Sequence, residues 1–416
     1  MRYSSPDEWL RYLEAIHPSG IDLGLERVAR VAARLDCIKP APLVILVGGT
    51  NGKGTTSALI AALLRKQGKR IGMYNSPHIH RYNERVSVDG ADISDANLCR
   101  SFEAVERARD DITLTYFEFG TLAALWHFKQ QSLDAVVLEI GLGGRLDAVN
   151  VVDPDISVVT SIGLDHQDWL GNTVDEIAYE KCSIARAGKW LVCGQPDAPA
   201  RALATVKNLG GYFAARGDMF DVAESEQQLI VSYTANNEPR TVTLAEYHIP
   251  HHNVATAIQV LALIDQLPPS DVLSETVSGL RVPGRWQSWS DGSAKVVLDV
   301  AHNPQAAAYL RHHIEELDCL VLGMLSDKDV AGVLEALPPF KRLYVVTLTG
   351  WRGLDREELG AKSRAAGFTV DQSFETMSAA LESIPATGTT LVAGSFHTVE
   401  AAAEWLKAGE GKWNSI

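Results

Sequence analysis

The sequence predicts an α/β protein in two parts: a larger N-terminal part with a mostly parallel sheet and a small appended β-sheet, then a second α/β part. Three observations lead there. The chain has 416 residues, more than one ordinary core at about 100 to 200 residues per domain. Short apolar runs of strand length recur between helical patterns, the rhythm of a parallel sheet covered on both faces. That rhythm stops at "VPGRWQSWSDGSA" and then restarts, which sets the expected boundaries at 1–286, a linker at 287–295, and 296–416.

The elements follow in order. The opening "MRYSSPDEWLRYLEAIHPSG" alternates charge with apolar residues and lacks the apolar core of a secretory signal. The run "LVILV" (43–47) is the first strand, and "DAVVLEI" (134–140), "DISVVTSI" (155–162) and "KWLVCG" (189–194) continue the sheet. Residues 207–247, with "DVAESEQQLIVSY" and "RTVTLAEYH", read as appended hairpin strands. Beyond the boundary come "KVVLDV" (295–300), "LDCLVLGML" (317–325), "KRLYVVTLT" (341–349) and "TTLVAGSF" (389–396).

Composition narrows the partners. A net charge of −14 opposes broad contact with nucleic acid or membrane, so an anionic ligand has to be held by local positive charge. No run approaches the roughly 18 apolar residues of a membrane span. Five cysteines without a C-x-x-C spacing suggest neither a disulfide framework nor a thiolate zinc site. A cytoplasmic protein with no nucleic-acid or membrane partner is expected.

The stretch "VGGTNGKGTT" directly follows the first strand. A glycine-rich turn leaving a strand and opening a helix points backbone N–H groups at a phosphate, where the helix dipole favours negative charge. Lys53 supplies a point charge, and Thr55 or Thr56 a hydroxyl for a metal. The strict phosphate-loop pattern would require glycine at Val47 and a hydroxyl residue at Gly54, and neither is present. A tight turn of a packed α/β core is the alternative reading.

Ligands of open parallel sheets sit beyond the carboxyl ends of the strands. The second long strand ends at Glu139, before "GLGGRLDAVN", and the third runs into "GLDHQDWLG", which brings Asp165 and His166 to the same edge. Carboxylates facing a triphosphate require a divalent cation between them, and the mixed donor set suits Mg²⁺ or Mn²⁺. A hydrogen-bonded strand-end histidine is the competing reading of His166. In "TVDEIAYEKCSIAR", Thr173 and Glu176 have capping-box spacing, and Ile177, Lys181 and Ile184 share one apolar stripe. Burial there lowers the pKa of Lys181 and opens its neutral amine to modification, unless the ammonium snorkels to water.

Together, "GGTNGKGTT", "NSPHIHRYNERV", "TYFEFGTLAALWHFK", "LEIGLGGRLDAVN", "SIGLDHQDWLG", "EKCSIAR", "PGRWQ", "DVAHNP" and "AGSFHTV" resemble the bacterial dihydrofolate synthase/folylpolyglutamate synthase family of the Mur ligase superfamily. The resemblance runs from "GIDLGLERV" to "GSFHTV". It implies an N-terminal P-loop-type ATPase domain and a C-terminal Rossmann-like glutamate-ligase domain. The implied activity is ATP-dependent addition of L-glutamate to dihydropteroate and to reduced folates, by a monomer. By the same likeness Thr50, Asn51, Gly52, Lys53, Gly54, Thr55 and Thr56 bind the phosphates, with Asn253, Arg285, Asp299 and His302 as further ATP contacts. Ser76 and Glu139 look like ligands of one Mg²⁺. Glu139, His166 and a CO₂-derived carbamate on Lys181 look like those of a second, so Lys53, Lys181 and His166 form the catalytic set. Asp22, Leu23, Thr115, Phe117 and Asp147 are implied substrate contacts, with Phe117 placed to stack on a pterin and Asp147 to pair with its amino-pyrimidine edge.

Local structural roles compete with several of these: a helix cap at Asn303–Pro304, a surface arginine at Arg285, core packing at Phe117 and a turn cap at Asp147. Cys182 follows Lys181 where small residues are usual in the family. Two relatives in function remain: a monofunctional folylpolyglutamate synthase and another Mur-type amino-acid ligase. A cell-wall ligase would carry a nucleotide-sugar domain before the loop, yet only 42 residues precede Leu43, near the lower limit of about 40 for an independent core. A nucleotide-regulated binding protein would keep the loop without requiring Glu139, His166 and an apolar-face lysine together.

Overall fold

The computed structural model describes residues 2–225, 228–350, 352–409 and 412–415. It divides into two compact units, Met1–Leu280 and Arg281–Ile416. Residues 287–290 of the stretch expected to be a linker form a strand of the second unit.

Unit one is organised by a sheet of eight strands: β1 (Leu43–Gly48), β2 (Ile71–Tyr74), β3 (Val86–Val88), β4 (Ala91–Asp92), β5 (Ala135–Glu139), β6 (Ile156–Val159), β7 (Trp190–Cys193) and β8 (Tyr212–Ala215). Their spatial order is β4-β3-β2-β5-β1-β6-β7-β8. All neighbours are parallel except β2–β3 and β3–β4, so the antiparallel pairing is confined to one edge. The central strands are apolar throughout because helices cover both faces; Val44, Ile45, Leu46 and Val47 are all fully buried. The register sets Val47 opposite Glu139 on one side and Val158 on the other. The carboxyl ends of β5, β1 and β6 therefore finish level at one edge.

The N-terminal helices add their own core to this sheet. Ser5 caps the helix Pro6–Ala15 with a complete capping box, and Trp9 buries its ring against Phe102 and Phe119. Three further strands, β9 (Asp221–Ser225), β10 (Gln228–Ala235) and β11 (Glu238–Leu244), make the small antiparallel sheet expected from the hairpin pattern. Alternate residues Leu229, Val231, Val242 and Leu244 face inward. The expected hairpin region also contained the end of a helix, Ala200–Asn208, and β8, which joins the main sheet instead.

Unit two holds seven strands in the order β16-β15-β14-β17-β13-β12-β18. They are β12 (Gln287–Ser290), β13 (Ala294–Leu298), β14 (Cys319–Leu322), β15 (Leu343–Val346), β16 (Gln372–Phe374), β17 (Gly388–Ala393) and β18 (Asn414–Ser415). The run from β16 to β13 is parallel, and β12 and β18 close the edge antiparallel. Buried cores lie on both faces of this sheet, as a Rossmann-like layer arrangement requires. All five cysteines are free and buried. Among the described residues, no helix is long and apolar enough to cross a membrane.

Candidate active site

The helix Lys53–Lys66 begins directly after the glycine-rich turn, with Gly52 as its left-handed N-cap at φ 85°. An L side chain is strained at that angle, and an added Cβ would also overlap Oδ1 of Asn253. Gly49, at φ +142°, is equally constrained because a side chain there would run into Thr160. These two glycines let the loop fold back over the end of β6.

Thr160 and Ser161 hold it there. The Thr50 amide donates to the Ser161 carbonyl at 2.9 Å and the Asn51 amide to Ser161 Oγ at 2.8 Å. Thr160 Oγ1 donates to the Asn51 carbonyl at 2.6 Å, and Thr50 Oγ1 exchanges hydrogen bonds with Gly163 at 3.2 and 3.0 Å. Thr50 and Asn51 are thus committed through their amides to shaping the loop. The first-turn amides from Lys53 onward have no intrahelical acceptor by helix geometry. Lys53 Nζ folds onto its own loop, donating to the carbonyls of Gly49 and Thr50 at 3.0 and 3.3 Å. Thr55, Thr56 and Ser57 are buried, and none of their hydroxyls has a hydrogen-bond partner. Nor do Oδ1 and Nδ2 of Asn253, which is 1% exposed at the start of the helix His251–Leu263. Buried polar atoms left unsatisfied in this number beside a helix N-terminus fit an anionic ligand that would engage them.

Glu139 ends β5, 4% exposed, and turns its carboxylate toward that helix start. A Cβ placed on Gly54 would lie 3.5 Å from Oε2 of Glu139. The same oxygen accepts the Ser76 amide at 3.3 Å, so Ser76 and Glu139 come together beside the loop. His166 caps the short helix Gln167–Leu170 at φ 52°, and its amide donates to Asp165 Oδ1 at 2.9 Å. Among the described residues, neither Glu139 nor His166 belongs to a group of three carboxylate, cysteine or histidine donors lying within 4.8 Å of one another.

Lys181 lies on the helix Val174–Cys182, whose capping box pairs Thr173 with Glu176 as the spacing indicated. It is 4% exposed. Burial, reinforced by the positive charge of Lys53, holds its ammonium down to about 7, against weaker opposing pulls from Asp165, Cys182 and Asp147. Asp147 caps the short helical turn Ala148–Val151 and accepts the amides of Leu142 and Val149 at 2.8 and 2.9 Å. Burial lifts it to about 6, opposed by those amides, the Gly141 amide and the Lys53 charge. Lys53, Lys181, Asp165 and Asp147 therefore share one electrostatic neighbourhood.

The other substrate candidates lie on two segments: Asp22 and Leu23 before the helix Glu26–Arg34, and Thr115 and Phe117 at the start of the helix Tyr116–Lys129. Arg27 ties the two together as one wall through Asp22 and Glu118. Thr115 caps the helix Tyr116–Lys129 in a capping box with Glu118. A Cβ on Gly141 would overlap the Phe117 ring, so that ring lies against the backbone leaving β5. Asp22 is tied to Arg27 at 2.7 Å and lies 3.5 Å from His17, with Leu23 half-buried beside it.

In unit two, Asp299 is half-buried and its carboxyl is raised by desolvation, against Arg285, His302 and the amides of Trp286 and Ala301. The Arg285 guanidinium lies 5.1 Å from the Phe396 ring centroid, and His302 Nδ1 stands 2.8 Å from the Val300 carbonyl. Asn303 caps the helix Pro304–His313 through the Ala306 amide. The structure also adds residues that the sequence had not singled out: Thr160 and Ser161 under the loop, and Arg27 and Glu118 behind the substrate wall. Polar residues closing an otherwise apolar strand were the readable signal for the first pair. For the second, only the T-x-x-E capping spacing was visible.

The parallel sheet, the Gly-Lys loop at its switch point and the acidic strand end define a Mur ligase. Residues 47–189 match the Mur ligase middle domain and residues 284–396 the Mur ligase glutamate ligase domain. The chain is 42% identical over 409 residues to dihydrofolate synthase/folylpolyglutamate synthase of Escherichia coli strain K12, covering 96% of this chain and 95% of that protein. A solved structure of E. coli FolC in complex with DHPP and ADP superposes with a TM-score of 0.89 at 40% identity, covering 97% of this chain and 98% of that one. A bifunctional folylpolyglutamate synthase/dihydrofolate synthase with Mn, AMPPNP and L-glutamate bound gives a TM-score of 0.86 at 39% identity, with the same coverage. The chain belongs to the dihydrofolate synthase/folylpolyglutamate synthase family.

Proposed function

We propose that this chain is an ATP-dependent ligase that adds L-glutamate to dihydropteroate and, in a second activity, to reduced folates. The observation that carries the reading is the Glu139 carboxylate. It faces the first turn of the Gly-Lys helix while accepting the Ser76 amide. Two acidic or hydroxyl strand-end groups beside a phosphate loop are what a metal–nucleotide complex needs and what an ordinary packed turn does not. The ADP, AMPPNP, Mn, DHPP and L-glutamate bound in solved relatives support the same reading.

In this reading residues 1–286 form the ATP-binding domain and residues 296–416 the glutamate-ligase domain of a cytoplasmic monomer. The residues present fit ATP and two Mg²⁺ ions. Ser76 and Glu139 would hold one ion; Glu139, His166 and Lys181 would hold the other. Lys181, buried and within the electrostatic reach of Asp165 beside His166, is the group proposed to complete that set. A lysine held near 7 is substantially neutral at cellular pH, so its amine can add to CO₂ and become an anionic carbamate. When bound, the cations neutralise charge on the phosphates and on the carboxylate being activated.

A carboxylate oxygen is a poor leaving group, so the pteroate carboxylate is activated by the γ-phosphoryl group as an acyl phosphate before the glutamate amine attacks. Lys53 and the first-turn amides stabilise the transferring phosphoryl oxygens. Thr55, Thr56 and Asn253 offer their unpaired polar atoms to the nucleotide, and Arg285, Asp299 and His302 are proposed as nucleotide contacts on the family likeness. His166, as a ligand, does not serve as the base for the amine. Phe117 supplies an apolar face to the pterin and Asp147 an acceptor for its amino edge, with Asp22, Leu23 and Thr115 lining the same substrate.

The test is amide formation with ATP, L-glutamate and either dihydropteroate or tetrahydrofolate. Turnover of both is expected; turnover of one alone assigns a single activity, and turnover of neither rejects the ligase. The same assay carries a pH prediction. Pairing through Asp147 needs its ionised form, so KM for dihydropteroate is expected to rise as pH falls through about 6. Stability moves the other way. The folded carboxyl binds its proton more tightly than the unfolded one at 3.8, so ionised Asp147 costs stability increasingly as pH climbs from 3.8 to about 6, and fully above that. Asp147→Asn should flatten the KM profile between about pH 5 and 7; an unchanged profile removes Asp147 from substrate recognition.

A further inference from the structure

We propose that Arg27 is a positioning residue for the pterin-bearing substrate, acting as a clasp between two segments far apart in sequence. The proposal rests on the ligase reading, because it concerns how that enzyme's substrate wall is held. The Arg27 guanidinium reaches both segments at once. One terminal nitrogen, Nη1, pairs with the Asp22 carboxylate at 2.7 Å. The other, Nη2, donates to the Asp22 carbonyl at 2.9 Å and to Glu118 Oε1 at 2.9 Å.

Glu118 is the informative partner. It is 4% exposed, and its second oxygen accepts the Thr115 amide at 2.7 Å, completing the capping box that fixes where the helix Tyr116–Lys129 begins. That start sets the positions of Thr115 and Phe117. Asp22, in turn, belongs to the irregular stretch before the helix Glu26–Arg34, where regular backbone hydrogen bonding does not fix the chain. His17, at 3.5 Å from Asp22, is the only other charged or titratable group recorded against that carboxylate among the described residues. Without the guanidinium, Glu118 becomes a buried carboxylate with no cationic partner, and the 22–25 stretch loses its tie to the wall.

The fork geometry matters because one group spans three acceptors from two segments. A lysine ammonium is a single point charge on a flexible stem and cannot reproduce that span. Arg27→Lys should therefore hold one segment and release the other. The hydrogen bonds and ion pairs of its guanidinium go to Asp22 and Glu118, away from the Gly-Lys loop, so nucleotide binding should be indifferent to it.

Steady-state kinetics with dihydropteroate and ATP varied separately tests this, on the unaltered protein, Arg27→Ala, Arg27→Lys and Glu118→Gln. Arg27→Ala should raise KM for dihydropteroate about tenfold or more, with KM for ATP within about twofold of its original value. Arg27→Lys should fall between the two. Glu118→Gln keeps an acceptor for the Thr115 amide yet removes the negative partner, so it gives a folded variant with the same direction of change even where Arg27→Ala folds poorly. KM for dihydropteroate unchanged in Glu118→Gln and Arg27→Lys, or both KM values rising in parallel, overturns the clasp. Failure of the unaltered protein to use dihydropteroate sinks the ligase reading and the clasp with it, whereas normal turnover with unmoved KM sinks the clasp alone.

Discussion

Lys53→Ala is expected to reduce ATP-dependent glutamate ligation by about two to three orders of magnitude while leaving the protein folded. The loss should be large because phosphoryl transfer asks little of a protein beyond positioning and charge compensation, and Lys53 is the side-chain cation at the mouth of the loop. The fold should survive because Nζ bonds to two carbonyls of its own turn, while Thr160 and Ser161 independently hold the loop on β6. The loss should fall on kcat and on kcat/KM for ATP together, since the charge is needed most in the transition state. There is a second consequence. The Lys53 charge is the next cause after burial that lowers Lys181, so its removal should raise the Lys181 pKa and diminish the neutral amine. Phosphate release and thermal melting measured side by side check both halves. Turnover within about threefold of the unaltered protein would remove Lys53 from the chemistry.

The strands that build this site were legible because they are buried on both faces and so read as unbroken apolar runs: 43–47 became β1, 134–140 became β5, and 155–162 became β6. The edges were not. β3, β4 and β18 have only two or three residues, too short for a period to emerge, and β12 lies in a Ser/Trp stretch whose alternation resembles a loop. The unit boundary falls at Leu280 and Arg281 because β12 pairs with β13 across a tight turn, a relation that composition alone does not disclose.

Within the site, sequence revealed whatever is carried by one local segment. Lys181 stood out because a charged residue interrupted an apolar helical stripe, and its burial follows from that stripe joining the core of unit one through Ile177, Ala178 and Cys182. Contacts between distant segments left almost no trace. Nothing in "IDLGLERV" indicates that Arg27 meets Glu118, 91 positions later. Asn253 sits in an unremarkable apolar helix, where only the family likeness marked it as an ATP contact, and the fold brings it against the Gly52 backbone. Pairings of that kind depend on which strand neighbours which, and a single chain does not encode strand order locally.

Lys181→Met is expected to abolish turnover and yet stabilise the protein, a combination that distinguishes a functional lysine from a structural one. Burial holds the folded ammonium at about 7 against an ordinary 10.5, a difference of 3.5. At about 1.4 kcal/mol per unit this amounts to ~5 kcal/mol of disfavoured charge as an upper bound. The sign follows from proton counting. The unfolded chain binds the proton more tightly, so the penalty is complete below pH 7, shrinks as pH rises from 7 to 10.5, and is gone above that. Methionine, of similar length and without the charge, should therefore raise stability most at pH 6 to 7 and progressively less toward pH 9, which urea unfolding in the presence of a chelator can follow. Ligation should meanwhile drop by more than about a hundredfold, because the ligand set proposed around Glu139 and His166 would lose its third member. Lys181→Ala, which opens space in the same place, should recover part of its activity with added formate or acetate, since a small carboxylate can occupy the position a lysine carbamate would fill. A methionine variant that keeps its turnover, or one destabilised equally at pH 6.5 and 9, would show that the lysine serves the packing of its helix and not the chemistry.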